Sequence, residues 1–268
     1  MMFLYDYPNW IMGIMIVGTC LTLALAGYFV FRKIFHWEFS DTQIAASMGL
    51  VGIIATIVSL LLAFSAVSVW DAFNDADSSV TNEANDGSML ARDLASYGGP
   101  EAMKTRASLK EYLRIVVEEE WPLMQKGGVS ANAWKQLDVI FKDADKIEPK
   151  TMREQVILQE IWQRINELTK NRRDRIHNSQ AEVPQTLWTV VLLGTALTFL
   201  FTFVLPVTRF HVTLIAGLAL AMGLVFFFIV AMDHPFAGKE SISHDAFDST
   251  MYNMDQSDKD AAAAKATP

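Results

Sequence analysis

The sequence predicts an all-α membrane protein with four transmembrane helices and a helical soluble region between the second and third. Three observations carry that expectation. Apolar residues make up 51% of the 268-residue chain and gather in four blocks. Residues 44–70 contain no Asp, Glu, Lys, Arg or His, and 11–31, 187–208 and 212–232 are equally uncharged. A bilayer core takes roughly 20 apolar helical residues to cross. The polar stretch between the blocks shows 3.6-residue periodicity and no long strand-like alternation. This pattern excludes a simple soluble enzyme, a disulfide-stapled secreted domain and a collagen-like chain.

The elements follow in order. Residues 11–70 hold transmembrane helices 1 and 2, joined by a turn at 32–41. Asp6 precedes the first block, and no Lys or Arg does. A cleaved leader needs positive charge there, so Ala24-Leu25-Ala26 is read as part of a retained helix. Tyr5, Tyr7, Trp10, Trp37, Trp70 and Trp188 fall at block ends, where amphipathic rings favour the headgroup level. Residues 71–186 form the helical soluble region. Its first part continues helix 2 as far as Ala95, with Val80, Ala84, Ala91 and Leu94 on the apolar side and Asp71, Asp75, Asn82, Asp86 and Asp93 on the other. Gly98-Gly99-Pro100 stops it. A helix to Gln125 follows, with Leu109, Leu113, Val116 and Val117 as its stripe and a kink or end at Trp121-Pro122. Ser130 caps a helix to about Ile147, and a long helix runs from Thr151 to about Gln180 with Val156, Ile157, Ile161, Ile165 and Leu168 apolar. Residues 187–232 hold transmembrane helices 3 and 4 as a tight antiparallel hairpin. Residues 233–268 are a tail, read as largely disordered after Ser249.

Charge narrows the partners. The chain carries 22 Lys plus Arg against 30 Asp plus Glu, a net charge of −8, with no basic run interleaved with aromatics. Nucleic acid is therefore not an expected partner; the lipid bilayer is. Cys20 is the one cysteine and lies within the first block, where it serves as a small apolar residue. The five histidines have no metal-ligand spacing, so no metal or other cofactor is expected. No phosphate-binding glycine loop or nucleophile elbow occurs, so no catalytic residue is nominated. Glu118-Glu119-Glu120 reads as solvated. No ionisable residue lies mid-membrane, which argues against proton relays. Arg32, Lys33 and Arg209 on one side balance Arg172, Arg173, Arg175 and Lys239 on the other, so the positive-inside rule assigns no orientation.

Transmembrane helix 2 carries the most information. Gly52, Ala55, Ser59 and Ala63 form a small-residue stripe suited to close helix packing. Ile53, Ile57, Leu61 and Phe64 form a bulky stripe, facing lipid, another helix, or the axis of a homo-oligomer. In the last case they are the candidate neck of a pore that gates by dewetting. Asp71, Asp75 and Asp77, with Glu83 and Asp86, make an acidic collar with no basic residue until Arg92. Around an axis such a collar attracts small inorganic cations. The glycine turn and terminal Glu of an EF-hand loop are missing from it. Arg172, Arg173 and Arg175 are candidates for lipid phosphate or for pairing with the collar.

Several segments together resemble the bestrophin-like family, a group of bacterial and plant membrane proteins. They are Leu60-Leu61-Leu62-Ala63-Phe64 leading into Val69-Trp70-Asp71-Ala72-Phe73, Glu83-Ala84, Tyr112, Glu120-Trp121-Pro122, Arg172-Arg173-x-Arg175, Pro184-x-x-x-Trp188 and Asp233-His234-Pro235-Phe236-x-Gly238. The resemblance runs from about Ile11 to Phe247. More distantly it implies the architecture of bestrophin ion channels, pentameric in known cases, whose second helix lines the pore with an apolar neck. It also implies a cytoplasmic helical region at the cell membrane. One Trp stands where bestrophins carry a pair, and their acidic calcium clasp is missing, so calcium gating does not carry over. The alternative is a non-conducting membrane scaffold or sensor whose helical region binds a partner.

Overall fold

The computed structural model describes residues 2–181, 183–239 and 241–266. Among the described residues there are nine α-helices and no strand. They are α1 (Asn9–Ile34), α2 (Asp41–Tyr97), α3 (Gly99–Ile115), α4 (Trp121–Met124), α5 (Ala131–Ala144), α6 (Met152–Ser179), α7 (Gln185–Thr202), α8 (Arg209–Met232) and α9 (Asp245–Ala266). Four of them, α1, α2, α7 and α8, are long and apolar enough to cross a membrane. The chain divides into two compact units. One takes in α1, α2 through Phe73, α7 and α8; the other takes in α2 from Asn74, α3 to α6, and α9.

Local chemistry sets the helix ends. Ser40 and Gln43 exchange hydrogen bonds at the start of α2, Ser40 N–H donating to Gln43 Oε1 at 2.9 Å. This reciprocal cap satisfies donors that the first turn leaves open. The helix then runs for 57 residues without a break. It ends where Gly98 and Gly99 take φ of +73° and +82°, conformations that cost a residue with a Cβ. Pro100 opens α3 in the first turn, where its missing N–H costs nothing. Ser130 caps α5, Thr151 caps α6 and Thr208 caps α8, each hydroxyl accepting a backbone N–H. The kink expected at Trp121-Pro122 is a single π-turn, Val116–Glu120, leading into the short α4. α5 stops at Ala144, three residues short of the expected Ile147.

The first unit has one apolar core to which all four of its helices contribute. Ala24 and Tyr28 come from α1, Val58, Leu62 and Val69 from α2, Val191 and Phe199 from α7, and Met222 and Phe226 from α8. Tyr28 donates its hydroxyl to the Leu205 carbonyl at 3.1 Å. Two close approaches set the spacing. A Cβ on Gly194 would lie 2.5 Å from Val58 Cγ2, and one on Gly223 would lie 3.1 Å from Val17 Cα and 3.4 Å from Cys20 Cβ. Cys20 thus sits at a helix contact. The small-residue stripe is not what packs α2 within the chain. Gly52, Ser59 and Ala63 are exposed, and a Cβ on Gly52 meets open space. The buried face is Val58, Leu62, Ser65 and Val69, whose centre lies about 115° around the helix from the centre of the bulky stripe.

The second unit is built on the expected stripes. Val80, Ala84 and Leu94 of α2, Leu109, Leu113 and Val116, and Ile161, Ile165 and Leu168 of α6 are buried. Val156, expected in the α6 stripe, is exposed. The expectation of disorder after Ser249 is corrected: α9 occupies that stretch. Phe247, Thr250 and Met254 are buried along one face. Thr250 donates to the Ala84 carbonyl at 3.1 Å. Lys110 pairs with Asp255 and Arg106 with Asp258. The spacing 247, 250, 254, 258 is a helical stripe, hidden from composition by the Asp, Lys and Ala around it.

Candidate functional site

α2 presents an outward arc in the first unit. Ile53, Ile57 and Phe64 are 61%, 56% and 63% exposed, so no described residue covers them. Leu61, the fourth neck candidate, differs: it is half-buried and packs against the apolar core. Ala55, of the small stripe, is also half-buried, while its other members stay on the exposed arc. Asp71 is exposed at the end of the same helical face, with Asp75 one turn on and Asp77 beyond, both also exposed. Glu83 and Asp86 do not join them. Both are buried in the second unit, where Asn171 donates to Asp86 Oδ2 at 2.5 Å. Burial raises the Asp86 carboxyl above its usual range, against the lowering effect of Asn171.

The second unit encloses an ionic cluster in which Arg175 meets Glu83 of the acidic collar and also Glu120. Arg172 and Arg175, nominated for lipid or collar contact, have fully buried side chains. Arg172 grips Glu120 with both terminal nitrogens, at 2.6 and 2.8 Å. Arg175 reaches Glu83 through Nε at 2.6 Å and Glu120 through Nη2 at 2.9 Å. Tyr112 donates to Glu83, and the Ser130 N–H donates to Glu120 Oε1 at 3.2 Å. Two guanidiniums thus neutralise two carboxylates away from water. Aromatic rings wall the cluster: the Arg172 guanidinium lies 4.6 Å from the Trp134 ring centre, and that of Arg175 lies 5.7 Å from both Trp121 and Phe247. Trp121 in turn meets Phe236 edge-on at 5.5 Å. Arg173 alone of the three arginines is exposed, its guanidinium 5.9 Å from Trp134.

The electrostatics follow from burial and pairing. Burial alone would lower the Arg175 guanidinium, but Glu83 and Glu120 hold it above its usual value. Burial, with Glu83 beside it, pushes the Tyr112 phenol far above its ordinary value. Two guanidiniums face two carboxylates, so the cluster is formally charge-balanced. The expectation that Glu120 is solvated is corrected. It lies four residues after Val116 and seven after Leu113, on their buried stripe. Glu118 and Glu119 remain exposed. Arg172 and Arg175 likewise extend the buried Ile161, Ile165, Leu168 stripe of α6.

Four long apolar helices and a helical unit around a charge-balanced core define the class: an all-α membrane protein. The model of the bestrophin-like domain matches residues 18–247, and the chain belongs to the bestrophin-like domain family. No curated protein matches the chain, and neither does any solved structure. The cluster explains what the family-like segments do physically, since Glu83, Tyr112, Glu120, Trp121, Arg172, Arg175 and Phe236 all meet within it.

Proposed function

We propose that the chain is a subunit of a homo-oligomeric ion channel of bestrophin-like architecture, with α2 lining the pore. The observation that carries this reading is the uncovered arc of α2. Ile53, Ile57 and Phe64 recur on one helical face, and that face ends in Asp71 and Asp75. Copies of α2 around an axis would turn the bulky residues into an apolar constriction and the carboxylates into its mouth. Asp71, Asp75 and Asp77 meet no basic residue in sequence until Arg92, which favours cations. Family membership supports the channel reading, and in this reading the helical unit lies on the cytoplasmic side of the cell membrane. The buried cluster is the rigid support of the helical unit and has no direct part in conduction.

The test is reconstitution. The purified chain is assigned its subunit number by native mass spectrometry, and flux of K⁺ and Cl⁻ is then measured from proteoliposomes. A closed oligomer with K⁺ flux exceeding Cl⁻ flux is expected. A folded monomer or dimer that passes no small ion would return the chain to the scaffold or sensor reading.

A further inference from the structure

The second unit holds an open cleft of about 340 Å³, formed by α2, α3 and α9, that conduction does not use. Its volume lies at the small end of the range for ligand sites, ~300–1,000 Å³. Among the described residues no Asp or Glu lines it, in a chain with 30 of them. Two arginines do. Arg106 is committed to the fold, its Nε donating to the Ala91 carbonyl and its Nη2 to the Met254 carbonyl, both at 3.2 Å. Arg92 is exposed and makes no ion pair among the described residues.

The remaining polar lining is neutral. Asn85 and Ser88 from α2 and Asn253 and Ser257 from α9 contribute two amides and two hydroxyls. None of these four side chains makes a hydrogen bond among the described residues. Such groups both donate and accept, which matches the hydroxyls of a polyol. Among the described residues no aromatic ring lines the cleft, so these residues offer no stacking platform of the kind that favours a nucleobase. Met89 and Met254 supply adaptable contact for C–H surfaces.

We propose that this cleft binds a small phosphorylated polyol, with the phosphate on Arg92 and the hydroxyls read by Asn85, Ser88, Asn253 and Ser257. A ligand seated there touches both α2 and α9, so its occupancy holds α9 in place. The proposal does not depend on conduction. The test is calorimetric titration of glucose 6-phosphate into the full chain in detergent, with glucose and inorganic phosphate titrated separately. Saturable binding of one glucose 6-phosphate per chain is expected, with each fragment at least about tenfold weaker. Arg92→Gln, on an exposed side chain, is expected to weaken binding at least about tenfold with thermal unfolding unchanged. Asn253→Asp, which sets a carboxylate against the phosphate, is expected to do the same. Slower hydrogen exchange in α9 on ligand addition is the independent readout. Absence of saturable binding, inorganic phosphate binding as tightly as the whole ligand, or full affinity in Arg92→Gln would each overturn the proposal.

Discussion

Glu120 shows how one side chain can hold several elements. Its two oxygens accept from Arg172, Arg175 and the Ser130 N–H, tying the π-turn to α6 and to the start of α5. Removing one partner of a buried ion pair leaves the other charged and unsolvated, at a cost of about 3–5 kcal/mol. Glu120→Ala is therefore expected to destabilise the chain by that amount, read by chemical unfolding in detergent. Tyr112→Phe removes only one hydrogen bond to a carboxylate, a loss of about 1.5–3 kcal/mol. It also changes the alkaline limb. A phenol whose folded pKa lies above its unfolded value of about 10 contributes stability below that pH and loses it as pH rises toward the folded value. The native protein is expected to lose stability with rising pH above about 10, and Tyr112→Phe to flatten that slope. These roles were partly legible in sequence. Arg172 follows Leu168 by four residues and Arg175 follows Arg172 by three, continuing the Ile161, Ile165, Leu168 stripe, and Glu120 falls on that of Leu113 and Val116. A charged residue on an apolar stripe is the signal of a buried pair. It was masked because each of these residues sits in a local cluster of charges, Glu118-Glu119-Glu120 or Arg172-Arg173-Asp174-Arg175, and such a cluster reads as exposed.

Among the elements, α2 and α7 meet at a tight local contact in the first unit. A Cβ on Gly194 would stand 2.5 Å from Val58 Cγ2, closer than packed carbons allow. Val58 is buried and its β-branched side chain has little rotamer freedom. Gly194→Ala is thus expected to destabilise by about 1–3 kcal/mol, the usual cost of overpacking. Val58→Ala removes the obstructing methyl, so the double variant is expected to be less destabilised than the sum of the two singles. Thermal unfolding of the four-protein cycle measures that coupling. The sequence pointed elsewhere for this contact. Gly52, Ala55, Ser59 and Ala63 have the spacing of a packing stripe, yet the chain buries the face through Val58, Leu62 and Ser65 instead. A small-residue stripe says that a close neighbour is permitted, and only tertiary structure says where one stands. α9 shows the opposite error. Its Phe247, Thr250 and Met254 face is apolar enough to dock, but a composition of Asp, Lys and Ala suggested a solvated tail. Long uncharged blocks and capping residues were legible because their physics is local. Which face of a helix is covered depends on partners far away in sequence.

For the whole molecule, the proposed channel makes the exposed carboxylates and the exposed apolar residues of α2 separable in their effects. Asp71 and Asp75 are exposed, so replacing them leaves no buried partner unpaired. If they form the mouth, they set the local concentration of cations through their field, an effect of about tenfold or more that falls with ionic strength. Asp71→Lys combined with Asp75→Lys reverses that field. The double variant is expected to lower the K⁺ to Cl⁻ permeability ratio by at least about tenfold in low salt, seen as a shift of the reversal potential across a KCl gradient. Raising the salt should shrink the difference between the variant and the native channel. Phe64→Ala acts on another quantity. Widening an apolar constriction favours its wetting, so conductance should rise while selectivity stays with the carboxylates. A channel in which Phe64→Ala changes selectivity, or the double Lys variant changes nothing, does not conduct along this face of α2. If neither variant alters flux while the assembly stays intact, the arc of Ile53, Ile57 and Phe64 faces acyl chains and the conduction path lies elsewhere.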